Sequence, residues 1–128
     1  RRVLRAGTYG SPAAGRVNNR PFGVFAMYNH GKCELCGFFL DESAAAEENG
    51  LQCRWKTEIP GCPGDLRWMG DEIVFGTRSS RLLRVQAADG RILQETRLSG
   101  RVTAPVVRCA DRLFVGTLDQ TLDVFDLR

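Results

Sequence analysis

Apolar positions along this chain fall into short runs separated by polar turns. From residue 51 onward the runs lie near 53–59, 66–69, 72–76, 82–87, 92–98, 102–108, 113–116 and 122–127. The punctuation is Pro60-Gly61, Pro63-Gly64, Gly70-Asp71, Ser79-Ser80, Asp89-Gly90, Ser99-Gly100, Ala110-Asp111 and Asp119-Gln120. Runs of this length, bounded by such turns, predict β-strands, and their regular spacing predicts an all-β, antiparallel protein.

The first fifty residues read differently. Residues 22–28 form a nearly continuous apolar run and residues 33–40 a second, joined through Asn29-His30-Gly31-Lys32. That pattern predicts a β-hairpin whose first strand is buried on both faces. Residues 1–20, rich in Gly, Ala, Asn and Arg and without a sustained period, read as a basic extension or loop. Residues 41–50 carry Ala44-Ala45-Ala46 between acids and end in Asn49-Gly50, which predicts a short helical linker. The chain therefore divides into 1–20, a hairpin with an Ala/Glu-rich linker over 21–50, and a repeat region over 51–128.

The repeat is visible directly. Glu72-Ile73-Val74-Phe75-Gly76-Thr77 is echoed by Arg112-Leu113-Phe114-Val115-Gly116-Thr117, an offset of 40. Each Gly-Thr is followed by a polar turn and another apolar run. A fixed period in the range of about 20–50 residues marks stacked copies of one supersecondary unit.

These residues resemble the repeat of PQQ-like, quinoprotein-type β-propellers, a blade unit of the WD40-like kind. In that repeat one strand ends in Gly-Thr, a second closes on an acidic residue, and Asp-Gly leads into a third. Gly76 and Thr77, Asp89-Gly90, Gly116 and Thr117, and Asp126 stand at those positions, and Ala104-Pro105-Val106-Val107 matches the opening of a copy. Trp55 stands where the family places a tryptophan that docks one blade on the next. The following docking position carries Gln94, and Ser80 or Arg81 and Gln120 replace the turn glycine. The resemblance covers roughly residues 51–128 and implies about two four-stranded antiparallel blades, an incomplete ring. It implies no cofactor residue, because a quinone would need side chains from a whole ring. A propeller closes with about four to eight blades. The expectation is a piece of a larger protein, or a sheet whose edges are covered by another chain or by residues 22–40. A narrower likeness, to the repeat region of aminoadipate-semialdehyde-dehydrogenase-type acyl-adenylating proteins, begins at residues 51–62; none of the adenylating or carrier motifs is present.

Composition alters this picture little. The chain has 128 residues, 43% hydrophobic and 26% charged, as in globular domains. No apolar stretch reaches the ~18 residues of a membrane span. Net charge is +3, but Arg1, Arg2, Arg5, Arg16, Arg20 and Lys32 precede the first acid, Glu34. A basic, acid-free start fits a solvated leader, a nucleic-acid or anionic-membrane arm, or the remnant of an organellar transit peptide. Aromatics for stacking bases are sparse there, which argues against nucleic acid.

Five cysteines cannot all pair internally. With no secretion signal in view, the expectation is reduced thiols and a cytoplasmic location. His30, Cys33, Cys36, Cys53 and Cys62 form the one constellation with metal-ligating chemistry. A Cys-x-x-Cys turn supplies two of the four ligands a structural zinc needs, although the second pair is eight residues apart rather than two to four. Ordinary buried thiols and a redox or disulfide pair are the other readings. His30 is the single histidine, so a nucleophile–histidine site would have to use it, yet it sits in turn sequence. No catalytic residue and no phosphate loop is identified. The functional expectation is a non-catalytic propeller module acting as an interaction or scaffold surface, with a protein partner or further blades. The alternatives are a small zinc-supported domain, or a non-catalytic piece of a quinoprotein or acyl-adenylating enzyme.

Overall fold

A computed structural model describes residues 7–41 and 53–127. All regular structure within them is β. The first sheet has the order β1-β2-β3-β4, from β1 (Gly7–Val17), β2 (Arg20–Asn29), β3 (Lys32–Phe39) and β4 (Trp55–Ile59). The second is β5-β6-β7-β8, from β5 (Arg67–Met69), β6 (Glu72–Gly76), β7 (Arg81–Gln86) and β8 (Ile92–Arg97). The third holds β9 (Val107–Cys109), β10 (Arg112–Gly116) and β11 (Leu122–Asp126), with β10 central. Every pairing is antiparallel. The expected helical linker lies outside the described residues.

The sheets stack face to face. Phe22, Val24 and Leu35 of the first pack with Ile73, Phe75, Leu83 and Val85 of the second. Alternation then turns Val74 and Leu82 to the opposite side, where they meet Val106, Leu113 and Val115 beside the third sheet. The second sheet is thus apolar on both faces, and the core lies in two seams rather than one centre.

Three differences from the sequence reading have physical causes. Residues 7–17 form strand β1 rather than loop. Its alternation is hidden because small residues are required: Gly15 lies directly against the Trp68 indole, while Ala13 and Val17 point into the core. The predicted hairpin is present, with His30 and Gly31 both at positive φ as a two-residue primed turn demands. It covers a sheet edge as expected, β3 pairing with β4 from Cys33↔Ile59 to Gly37↔Trp55. Residues 22–40 therefore add a sheet to the two expected, and the sheet boundary falls after Ile59 rather than near residue 51. Finally, only Val107 and Arg108 of the expected strand 102–108 enter a ladder, as part of β9 (Val107–Cys109). Val102 is used instead to cross between sheets, its N–H donating to Thr77 O at 2.9 Å, and Pro105 has no N–H to donate.

Candidate interaction face and the inter-blade seams

The Gly-Thr repeat has a local mechanism. Thr77 Oγ1 accepts from the backbone N–H of Ser79 at 3.3 Å and of Arg81 at 3.2 Å. Thr117 Oγ1 does the same for Asp119 at 3.2 Å and Thr121 at 3.3 Å. The threonine hydroxyl therefore ties the turn between the second and third strands of each repeat. The turn residues Ser80 and Gln120 sit at φ of 61° and 66°, the left-handed region in which glycine is favoured.

Trp55 closes the first seam. Its indole Nε1–H donates to Ala87 O at 2.9 Å, and its ring lies between Gly37 of its own sheet and Gly90, the positive-φ turn glycine of the next. Thr57 Oγ1 donates to Gly90 O at 2.6 Å alongside it.

Ladder register places Gln94 at the corresponding position of the second sheet. Trp55 and Thr57 pair with Gly37 and Leu35; Gln94 and Thr96 pair with Arg84 and Leu82. With no indole there, the second seam opens into a cleft of about 520 Å³ whose lining includes Glu72, Val74, Arg84, Gln94, Phe125 and Leu127. Polar contacts take up part of the space. Arg84 forms a two-pronged ion pair with Glu72 at 2.7 and 2.8 Å and donates to Gln94 Oε1 at 2.6 Å. The guanidinium holds the Glu72 carboxyl below its ordinary pKa, and the carboxylate in turn raises that of Arg84.

The outward side of the third sheet is the candidate interaction face. Val107, Phe114 and Val124 lie directly opposite one another across its three strands, with Leu122 one step along opposite Gly116. Val107 is 50% exposed, Val124 48% and Leu122 62%. Arg112 and Asp126, paired at 3.5 Å, stand at its margin, and the exposed free thiol of Cys109 lies on the same side. An apolar row across a sheet, bordered by charge, is the signature of a contact surface. It was missed from sequence, although the offset of 40 from Val74 and Leu82 points to Phe114 and Leu122.

The candidate metal ligands are divided rather than gathered. Cys33 is bonded to Cys62 and Cys36 to Cys53, with Cα separations of 5.4 and 5.6 Å. Positions three apart on a strand face opposite sides, so Cys33 and Cys36 cannot converge on one ion while β3 is extended. As placed, the four sulfurs do not make a ligand set, and among the described residues no group of three or more His, Cys, Asp or Glu could hold a metal. His30 is exposed in its turn. Pro105 is exposed in the crossing segment, and Asp126 ends β11.

Neither a family model nor a curated protein matches the chain. Solved structures do. The chain is similar to BamB from Moraxella catarrhalis, with a TM-score of 0.67 at 13% identity over 94% of this chain and 34% of that one. A COPII outer coat vertex on membranes matches with a TM-score of 0.69 at 12% identity, again over 94% and 34%. The computationally designed Ika4 protein matches with a TM-score of 0.57 at 10% identity, over 98% of this chain and 96% of that one. The chain thus spans about a third of the first two. Likeness at these identities shows the fold alone: the sheets are β-propeller-type blades. Nothing in these comparisons supports the narrower likeness to aminoadipate-semialdehyde-dehydrogenase-type proteins.

Proposed function

We propose that this β-propeller-type chain is a non-catalytic interaction module that holds a protein partner on the open face of its third blade. The observation that carries this reading is the row Val107, Phe114, Val124 and Leu122, left open on a sheet whose other face packs Leu113 and Val115 against the second blade. Burying such a row at about 25 cal/mol per Å² is a sufficient driving force for docking. Other candidate groups offer less: the single histidine is exposed in a turn, and the Glu72–Arg84 ion pair is satisfied within the seam. Two disulfides support an oxidising compartment over the cytoplasm. Under this reading zinc has no part.

Cys109 provides the test, since it is the free cysteine among the described residues and sits on the face in question. A photo-crosslinker attached there should capture a partner, and Val124→Asp should abolish that capture while leaving the circular dichroism spectrum intact. Capture that survives Val124→Asp, or that matches capture from a label at Asp89, exposed in the β7–β8 turn of the second sheet, would contradict the reading.

A further inference from the structure

The partner of this face can be identified by carrying the repeat from the second blade onto the third. Val74, Leu82, Met69 and Gly76 map at the offset of 40 onto Phe114, Leu122, Cys109 and Gly116. In the second blade these positions form the contact with the blade that follows: Val74 is 4% and Leu82 6% exposed, and Met69 packs on the same cluster. Gly76 is the socket of that contact, since a Cβ there would lie 2.6 Å from the Val102 side chain. A Cβ at Gly116 would meet nothing within 4 Å. The third blade therefore carries the same socket with no knob in it.

The other end of the stack carries the complementary half. In the second blade, the pairs Phe75↔Leu83 and Ile73↔Val85 face the preceding blade and are buried. Aligning Trp55 with Gln94 makes Phe25↔Cys36 and Gly23↔Phe38 their counterparts in the first blade. Phe25 and Phe38 are half-buried and meet edge to face at 5.7 Å, and Leu40 beside them is 52% exposed. One chain thus presents both halves of the contact it already makes twice internally, one at each end.

Resting on the docking reading above, we infer that the occupant of the third-blade face is the outer face of the first blade of a second copy, joined head to tail. Such a contact is heterologous, and it closes only if the rotation per copy allows. The three described sheets, taken from each of two copies, make six, within the about four to eight blades of closed propellers. Face-to-face pairing of two third blades would set socket against socket and leave both glycines unfilled.

The test uses the purified chain with its disulfides intact, followed by sedimentation and by the alkylation rate of Cys109. The expected result is a concentration-dependent dimer in which alkylation of Cys109 slows as the dimer forms. Leu122→Asp and Leu40→Asp each place a carboxylate in the contact, and each should raise the dissociation constant ~100-fold or more. Mixed together, the two variants retain one intact contact and should form a one-to-one heterodimer that neither forms alone. Growth beyond a dimer that either variant stops would support the contact and overturn the ring of six. Association unaffected by Leu40→Asp, or a chain that stays monomeric with Cys109 equally reactive at all concentrations, would overturn the inference. The docking reading would still stand if Cys109 crosslinked another protein through the same apolar row.

Discussion

Removing the Trp55 side chain tests whether the seams between blades hold this chain together. Trp55→Ala deletes an indole that is partly buried between Gly37 and Gly90 and leaves the Ala87 carbonyl without its 2.9 Å donor. An indole carries roughly 200 Å² of buriable surface; half of that at about 25 cal/mol per Å² is ~2.5 kcal/mol. The lost hydrogen bond adds about 1 kcal/mol. The expected loss is therefore about 3.5 kcal/mol, a shift of about 2 M in the urea midpoint for a slope near 1.5–2 kcal/mol per M. Circular dichroism in urea is the assay, because loss of an indole confounds fluorescence. Gln94→Ala, at the same register position of the next seam, is the control, and there the expected change is within about 0.5 kcal/mol. A loss below about 1 kcal/mol for Trp55→Ala, or equal losses for both variants, would refute the assignment of Trp55 as the indole that locks the first seam.

Other outcomes follow from the same structure. Ala110 occupies φ of 54°, at the position equivalent to Gly70 one repeat earlier, and Gln120 occupies 66°; glycine at either should raise stability by about 1 kcal/mol in thermal or urea unfolding. The disulfides close loops of 17 and 29 residues and tie β4 to β3 beyond both ends of the strand. Chain-entropy arguments give about 3 and 3.6 kcal/mol respectively, so Cys53→Ser and Cys62→Ser should each lower the urea midpoint, the latter slightly more. Because pairing with Arg84 depresses the Glu72 pKa in the folded state, its contribution is complete above the ordinary glutamate value of 4.5 and fades as pH falls through the lower folded value. Glu72→Gln should accordingly cost up to about 1 kcal/mol at pH 7 and nearly nothing at pH 2. Since the four paired cysteines do not converge, a strong chelator should leave the unfolding curve unchanged; a chelator-induced loss of fold would restore the zinc reading.

Much of the second and third blades was legible because their strands alternate in register and repeat at an offset of 40. Glu72–Gly76 coincides with its predicted span, whereas Trp55 is singled out by its place in the resembling repeat rather than by periodicity. The first blade was harder to read. Strand β1 must pass beneath Trp68, so its residues are small and carry little hydrophobic signal, and the opposite edge strand β4, which pairs with β3, lies beyond a long connection. The cysteines show the limit of spacing arguments: Cys-x-x-Cys suggests a chelating turn only if the backbone turns, whereas in an extended strand it splits the two thiols between faces. The apolar row on the third blade was equally hard to see, since alternation marks Phe114 and Val124 as sheet residues without saying whether another sheet covers them.

The measurement that bears most directly on the vacant blade seat is alanine substitution at the two equivalent glycines, Gly76 and Gly116. Gly76→Ala drives a Cβ to 2.6 Å from Val102 and should destabilise the chain by about 1–3 kcal/mol. Gly116→Ala meets open space and should leave the dilute chain as stable as the parent, or slightly more so, while weakening its association at higher concentration. Equal destabilisation by both substitutions, or association indifferent to Gly116→Ala, would show that the third blade holds no empty seat.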